Sequence, residues 1–197
     1  STALVRSLSV SQVAALTLVN VKGLQTEQIA ALSTSQIEAI AYLASVGLTT
    51  DQIRVLGTSG LQFIKPETFA GFTSNQVSGL DPNQMGSLSS SQIRAFSLSA
   101  VRGLTVTQLG AIPDSRIPAL TTGSISVLSS VQLPGLQVGQ ISEITTSQLI
   151  ALTTSNILGL SPAQIAAVST GVIASLESRD LAVLSPEQVV GFSTAQI

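Results

Sequence analysis

The sequence predicts an all-α solenoid, a superhelix of very short helices with one helix in every eight residues, and three observations carry that prediction. Apolar residues open each octad from Leu8 to Phe192, twenty-four in all, without an insertion or deletion. Ser or Thr at position two is followed by Gln at position five in units such as LSTSQIEA (32–39), LTTDQIRV (48–55) and LSPAQIAA (160–167). Pro66, Pro82, Pro162 and Pro186 all fall at position three. A fixed period of this kind means that each unit buries its apolar face only by stacking on its neighbours.

The octad excludes the simpler elements. Eight residues at 100° each overshoot two turns by about 80°, so the apolar seam of one long helix spirals away. In a continuous strand, positions one and six face opposite sides. A short element followed by a bend remains. Ser or Thr with Gln three residues on is a capping box, in which each side chain satisfies an orphan backbone N–H. Position three is then the first helical residue, where proline is tolerated. Glu27, Asp51, Glu67 and Glu187 occupy position four, in the first turn, where a carboxylate meets the positive helix end. Positions one and six form a hydrophobic staple, and both are predicted to be buried, with positions four and seven mostly exposed. Position six is apolar throughout except at Ser45. Gly at position eight, as in Gly23, Gly47, Gly103 and Gly159, suits a helix exit or a close backbone contact. The Ile, Val and Thr content keeps a β-solenoid as the alternative fold.

A slower rhythm overlies the octad. Units without Gln and units with Gly at position eight cluster together, and Leu18, Tyr42 and Leu98 replace the usual small residue at position three. The clusters return about every 3.3 octads, roughly 27 residues, which predicts one superhelical turn of that length. The chain reads as a single array over 1–197. Ser1 and Ile197 fall inside octads, so it is expected to be part of a longer array, or a subunit whose exposed ends stack head to tail into an open filament.

Composition narrows the function. Charged residues are 9% of the chain, and eight Lys and Arg spread over 197 residues form no basic stripe for nucleic acid. There is no Cys and no His, which removes disulfides, thiolate or imidazole metal ligands, and the usual base for a nucleophilic serine. No apolar run approaches the ~20 residues of a membrane span. A calcium site needs clustered acids, and the ten acids are dispersed. Glu177 and Asp180, beside Arg179, are the closest approach to paired carboxylates and read as a solvated surface pair. Lys22, Arg54, Arg94 and Arg102 share position seven and offer a contact row, or simply outward charges. The Gln ladder is expected to serve capping and bonding between turns rather than ligand recognition. No residue is assigned to catalysis, a cofactor or a metal.

The strings LSTSQIEA at 32, LSSSQIRA at 88 and ITTSQLIA at 144 resemble the Leu-Thr-Thr-x-Gln-Ile-x-Ala repeats of very large secreted proteobacterial surface proteins, adhesin-like and matrix-like chains among them. IKPETFAG at 64 and IPDSRIPA at 112 depart from that pattern. The resemblance implies an exported structural repeat, extracellular or at the cell surface, and carries over no catalytic residue. The expected function is therefore a filament, matrix or adhesin stalk without enzymatic activity. The alternative is a repeat-based binding module for a glycan or surface protein, with Tyr42 or the basic residues as its contacts.

Overall fold

A computed structural model describes residues 1–40 and 42–197, and for residues 42 and 43 the main chain alone. Its helices follow the octads. Each runs for four to seven residues, as in Thr34–Glu38, Thr50–Arg54, Ser90–Arg94 and Pro186–Val190, with 3₁₀ turns at Asp114–Ala119, Leu133–Gly135 and Ile157–Gly159. Among the described residues there is no strand, so the β-solenoid alternative is set aside.

The local chemistry explains where each helix starts. Ser89 Oγ accepts from the Gln92 N–H at 3.2 Å, and Gln92 Oε1 accepts from the Ser89 N–H at 2.9 Å. The same reciprocal pair recurs at Thr49–Gln52, Asp81–Gln84, Thr145–Gln148 and Ser185–Gln188. At Gln25 and Gln137, outside the usual capping types, half of the box remains: Gln28 and Gln140 Oε1 accept from the N–H of Gln25 and Gln137. Pro66, Pro82, Pro162 and Pro186 each supply the first helical residue, where the missing N–H costs nothing. Each helix ends because the chain turns. The N–H of the next position one donates to the carbonyl of position six, as in Leu8 to Val5 at 3.2 Å and Leu160 to Ile157 at 3.0 Å.

The chain forms two compact units, Ser1–Gly103 and Leu104–Ile197. Within each, a helix packs on the helix three octads behind it: Ser74–Ser78 with Leu98–Arg102 in the first, Val138–Ser142 with Pro162–Ala167 in the second. Positions one and six fill the space between. In the first unit Phe69, Phe72 and Phe96 occupy such positions, with Phe69 centred 4.8 Å from Phe72 and 5.8 Å from Phe96. Position one is buried from Leu32 to Val168 and partly exposed in the first three octads and the last three. Position six behaves differently. Val5, Val13 and Val21 are buried, whereas Leu181, Val189 and Ile197 are exposed by 46%, 51% and 95%. Position six is thus covered by the turn that follows it. Positions four and seven are mostly exposed, as expected.

The glycines at position eight mark where successive turns meet most closely. A Cβ on Gly135 would stand 2.6 Å from the Val106 carbonyl oxygen and 2.7 Å from its Cα, and one on Gly103 would stand 2.6 Å from Ser74 Cα. Gly47, Gly159 and Gly191 meet the backbone of Leu18, Ser130 and Pro162 in the same way. Each partner lies 29 residues earlier. The backbone at these helix exits is ordinary right-handed, with φ of −81° at Gly103 and −68° at Gly191. Glycine is therefore required here for close approach, not for a left-handed cap. The offset of 29 joins position eight of one octad to position three of the octad three units before it, so these contacts bracket the expected turn of about 27 residues together with the helix pairs three octads apart.

Candidate functional site

The recurrent functional element is a clamp made by the amide at position five. Its oxygen caps its own helix while its nitrogen reaches the preceding turn. Gln92 Nε2 donates to the carbonyls of Leu61 at 2.8 Å and Ile64 at 2.7 Å. Gln148 reaches Ile117 at 2.8 Å and Leu120 at 2.6 Å, Gln164 reaches Leu133 at 2.9 Å and Leu136 at 2.7 Å, and Gln188 reaches Ile157 at 3.0 Å and Leu160 at 2.8 Å. In these four the acceptors lie 31 and 28 residues earlier, at position six and the following position one, whereas Gln84 reaches Ile53 and Arg54, 31 and 30 residues earlier. One primary amide thus satisfies the helix start of its own octad and the helix exit of another. These glutamines are buried, so each lost bond leaves an unpaired polar group in the interior.

Shorter residues at position five keep part of the clamp. Asn156 Oδ1 accepts from the Thr153 N–H at 2.7 Å, and its Nδ2 reaches the carbonyls of Ile125 at 3.3 Å and Ser126 at 3.4 Å. Thr68 Oγ1 donates to the Ile40 carbonyl at 3.1 Å, 28 residues back. Where Gly60 takes the position, a cavity of about 210 Å³ opens beside Ile29, Leu32, Thr34, Ser59 and Phe63, with no charged group in its lining.

Asp180 is the departure that sequence reasoning misjudged. Expected at the surface with Glu177, it is 0% exposed, and neither carboxylate oxygen has a hydrogen-bond partner. It stands at position five, which is buried in most octads. The octad frame places it at a buried position, against the usual exposure of acids. Arg179 Nε lies 3.0 Å from Glu177 Oε2 and 3.7 Å from Asp180 Oδ1.

The other singled-out residues do not converge. Lys22, Arg54, Arg94 and Arg102 are exposed. Arg54 pairs with Asp51 at 3.1 Å and donates to the Gly79 carbonyl at 3.3 Å. Arg94 and Arg102 belong to consecutive octads and so to successive corners, not to one row along the stack. The side chain of Tyr42 lies outside the described residues. Among the described residues no group of three or more acids is placed to hold a metal ion, and no helix is long and apolar enough to cross a membrane. Glu187, at the first turn of Pro186–Val190, has its carboxyl held below the ordinary range by its own backbone N–H and then by the Ser185 hydroxyl.

Neither a protein-family model nor a curated protein matches the chain.

Proposed function

We propose that the protein is an extracellular structural repeat, a filament, matrix or stalk element that performs no chemistry. The observation that carries this reading is the directional clamp. Every turn offers donors to the turn before it and carbonyl pairs to the turn after it, so the stack extends by repeating one contact. Such a contact is heterologous and open-ended. Head-to-tail association of copies repeats the same contact, with donors of one copy on carbonyls of the next. The resemblance to secreted octad repeats supports the location at or beyond the cell surface.

Electron microscopy of the purified chain at rising concentration tests the assembly. Fibres with a regular axial repeat are expected. Uniform separate particles at high concentration would exclude self-assembly and leave the stalk alone. The binding-module alternative draws on the cavity beside Gly60, where the Thr34 and Ser59 hydroxyls meet apolar walls. A saturable ligand on a glycan array, lost on Ser59→Trp, would replace the structural reading with that one.

A further inference from the structure

The octad at 56–63, LGTSGLQF, breaks the local rules that its neighbours keep. Position two is Gly57, whose φ of 63° is the one positive value among the described residues, a conformation that glycine holds without a steric penalty. Leu56, at the corner, has a helical ψ of −24°, where Leu88 and Leu160 have 135° and 130°. The helix Gly57–Phe63 therefore starts at position two, one residue early, and has no side-chain cap. Position five is Gly60, so no amide clamps this octad to the turn before it. Broken local rules of this kind concentrate where a fold builds a site. What these produce together is the cavity of about 210 Å³.

The cavity stands where a glutamine side chain is missing. A Cβ on Gly60 would lie 3.0 Å from Leu56 Cβ and 3.6 Å from Ile37 Cδ1, and both residues line the cavity. Ile29 and Leu32 line it too. They precede Gly60 by 31 and 28 residues, the offsets at which Gln92, Gln148 and Gln164 bond the main chain. Elsewhere, then, an amide on a short aliphatic stem fills this place. Three properties define what can fill it here. The lining carries no charged side chain, so a charged ligand would lose its hydration without a partner. The walls are mostly aliphatic, and Thr34 and Ser59 bring the hydroxyls. The volume is below the roughly 300 Å³ of a pocket that encloses a drug-sized ligand, so one end of a ligand enters and the rest stays outside.

We propose that the cavity beside Gly60 binds the acetamido group of an N-acetylated hexosamine. This rests on the binding-module reading of the same cavity and names its ligand. The acetamido group is a short neutral amide with a methyl, and so matches the missing side chain. Its methyl packs on the aliphatic wall, its N–H takes the role of the glutamine amide toward Ile29 and Leu32, and its carbonyl accepts from the Ser59 hydroxyl. Phe63, 36% exposed and part of the lining, gives the sugar ring an apolar surface to rest on. The sugar hydroxyls remain in water.

Titration of the full chain with N-acetylglucosamine, followed by NMR, tests the site. A dissociation constant of about 1 mM is expected for a ligand of this size. Glucose, which lacks the amide, should bind at least about tenfold more weakly. Gly60→Gln refills the void with the chain's own amide and should abolish binding. Ser59→Trp, at an exposed position, blocks the same cavity without crowding Leu56 and should abolish it as well, so the test survives if Gly60→Gln does not fold. Ser59→Ala should weaken binding about three- to tenfold. No saturable binding of N-acetylglucosamine, equal binding of glucose, or binding that persists in Ser59→Trp would overturn the proposal. Capture on a glycan array by sugars without acetamido groups alone would overturn it too, yet leave the binding-module reading standing. Fibre formation reports on the structural role separately.

Discussion

Residues 176–183 and 184–191 are adjacent octads in one frame, and they treat the preceding turn in opposite ways. Leu184, Ser185, Pro186 and Gln188 supply staple, cap, first helical residue and clamp, and Gln188 bonds the carbonyls of Ile157 and Leu160. Leu176, Glu177, Ser178 and Asp180 occupy the same four places. Glu177 makes no side-chain cap, and Asp180 is buried without a hydrogen-bond partner. Both octads nonetheless form a helix at the expected place. The apolar positions and the bend thus set the path of the chain, while position five decides whether a turn is bonded to the one before it.

Making a clamped octad resemble the unclamped one should cost most. Gln140 is fully buried and donates to the carbonyls of Leu109 and Ile112. Gln140→Glu keeps the shape and replaces two donors with a buried charge, so a loss of roughly 3–5 kcal/mol is expected in urea unfolding. A loss under about 1 kcal/mol would mean that the clamp matters little to stability. Gly135→Ala tests the close approach that brings the amides within reach. The added methyl meets the main chain of Val106, which cannot rotate away, and about 2 kcal/mol should be lost. A neutral result would show that the turns have slack.

Ser89→Ala separates capping from clamping, because Gln92 retains its bonds to Leu61 and Ile64. It should cost about 1 kcal/mol, and a loss as large as that of Gln140→Glu would merge the two roles. The smallest effect belongs to Glu187. Its folded value is lowered, so its contribution is present above the unfolded value, about 4.3 for a glutamate, and is lost as pH falls through the folded one. The stability difference between the parent chain and Glu187→Gln should accordingly fade below that range. A difference that persists at low pH would assign the effect to something other than the charge.

What the sequence determined by itself is the local unit. Capping boxes, first-turn prolines and the staple of positions one and six are contacts within a few residues, so their spacing announces them, and the helices start where Ser33, Asp81 and Ser161 say they do. Tertiary structure decided everything that joins one turn to another. Gln at position five was legible as a cap and as a bond between turns, but which carbonyls receive that bond follows from the number of octads per turn. The same holds for Gly135 and Gly159, which reveal their purpose only against Val106 and Ser130. Asp180 was hidden as well, because its burial has no cue within its own octad. Short-range chemistry repeats in the sequence; the match between turns depends on a small rotation per octad that no single octad encodes.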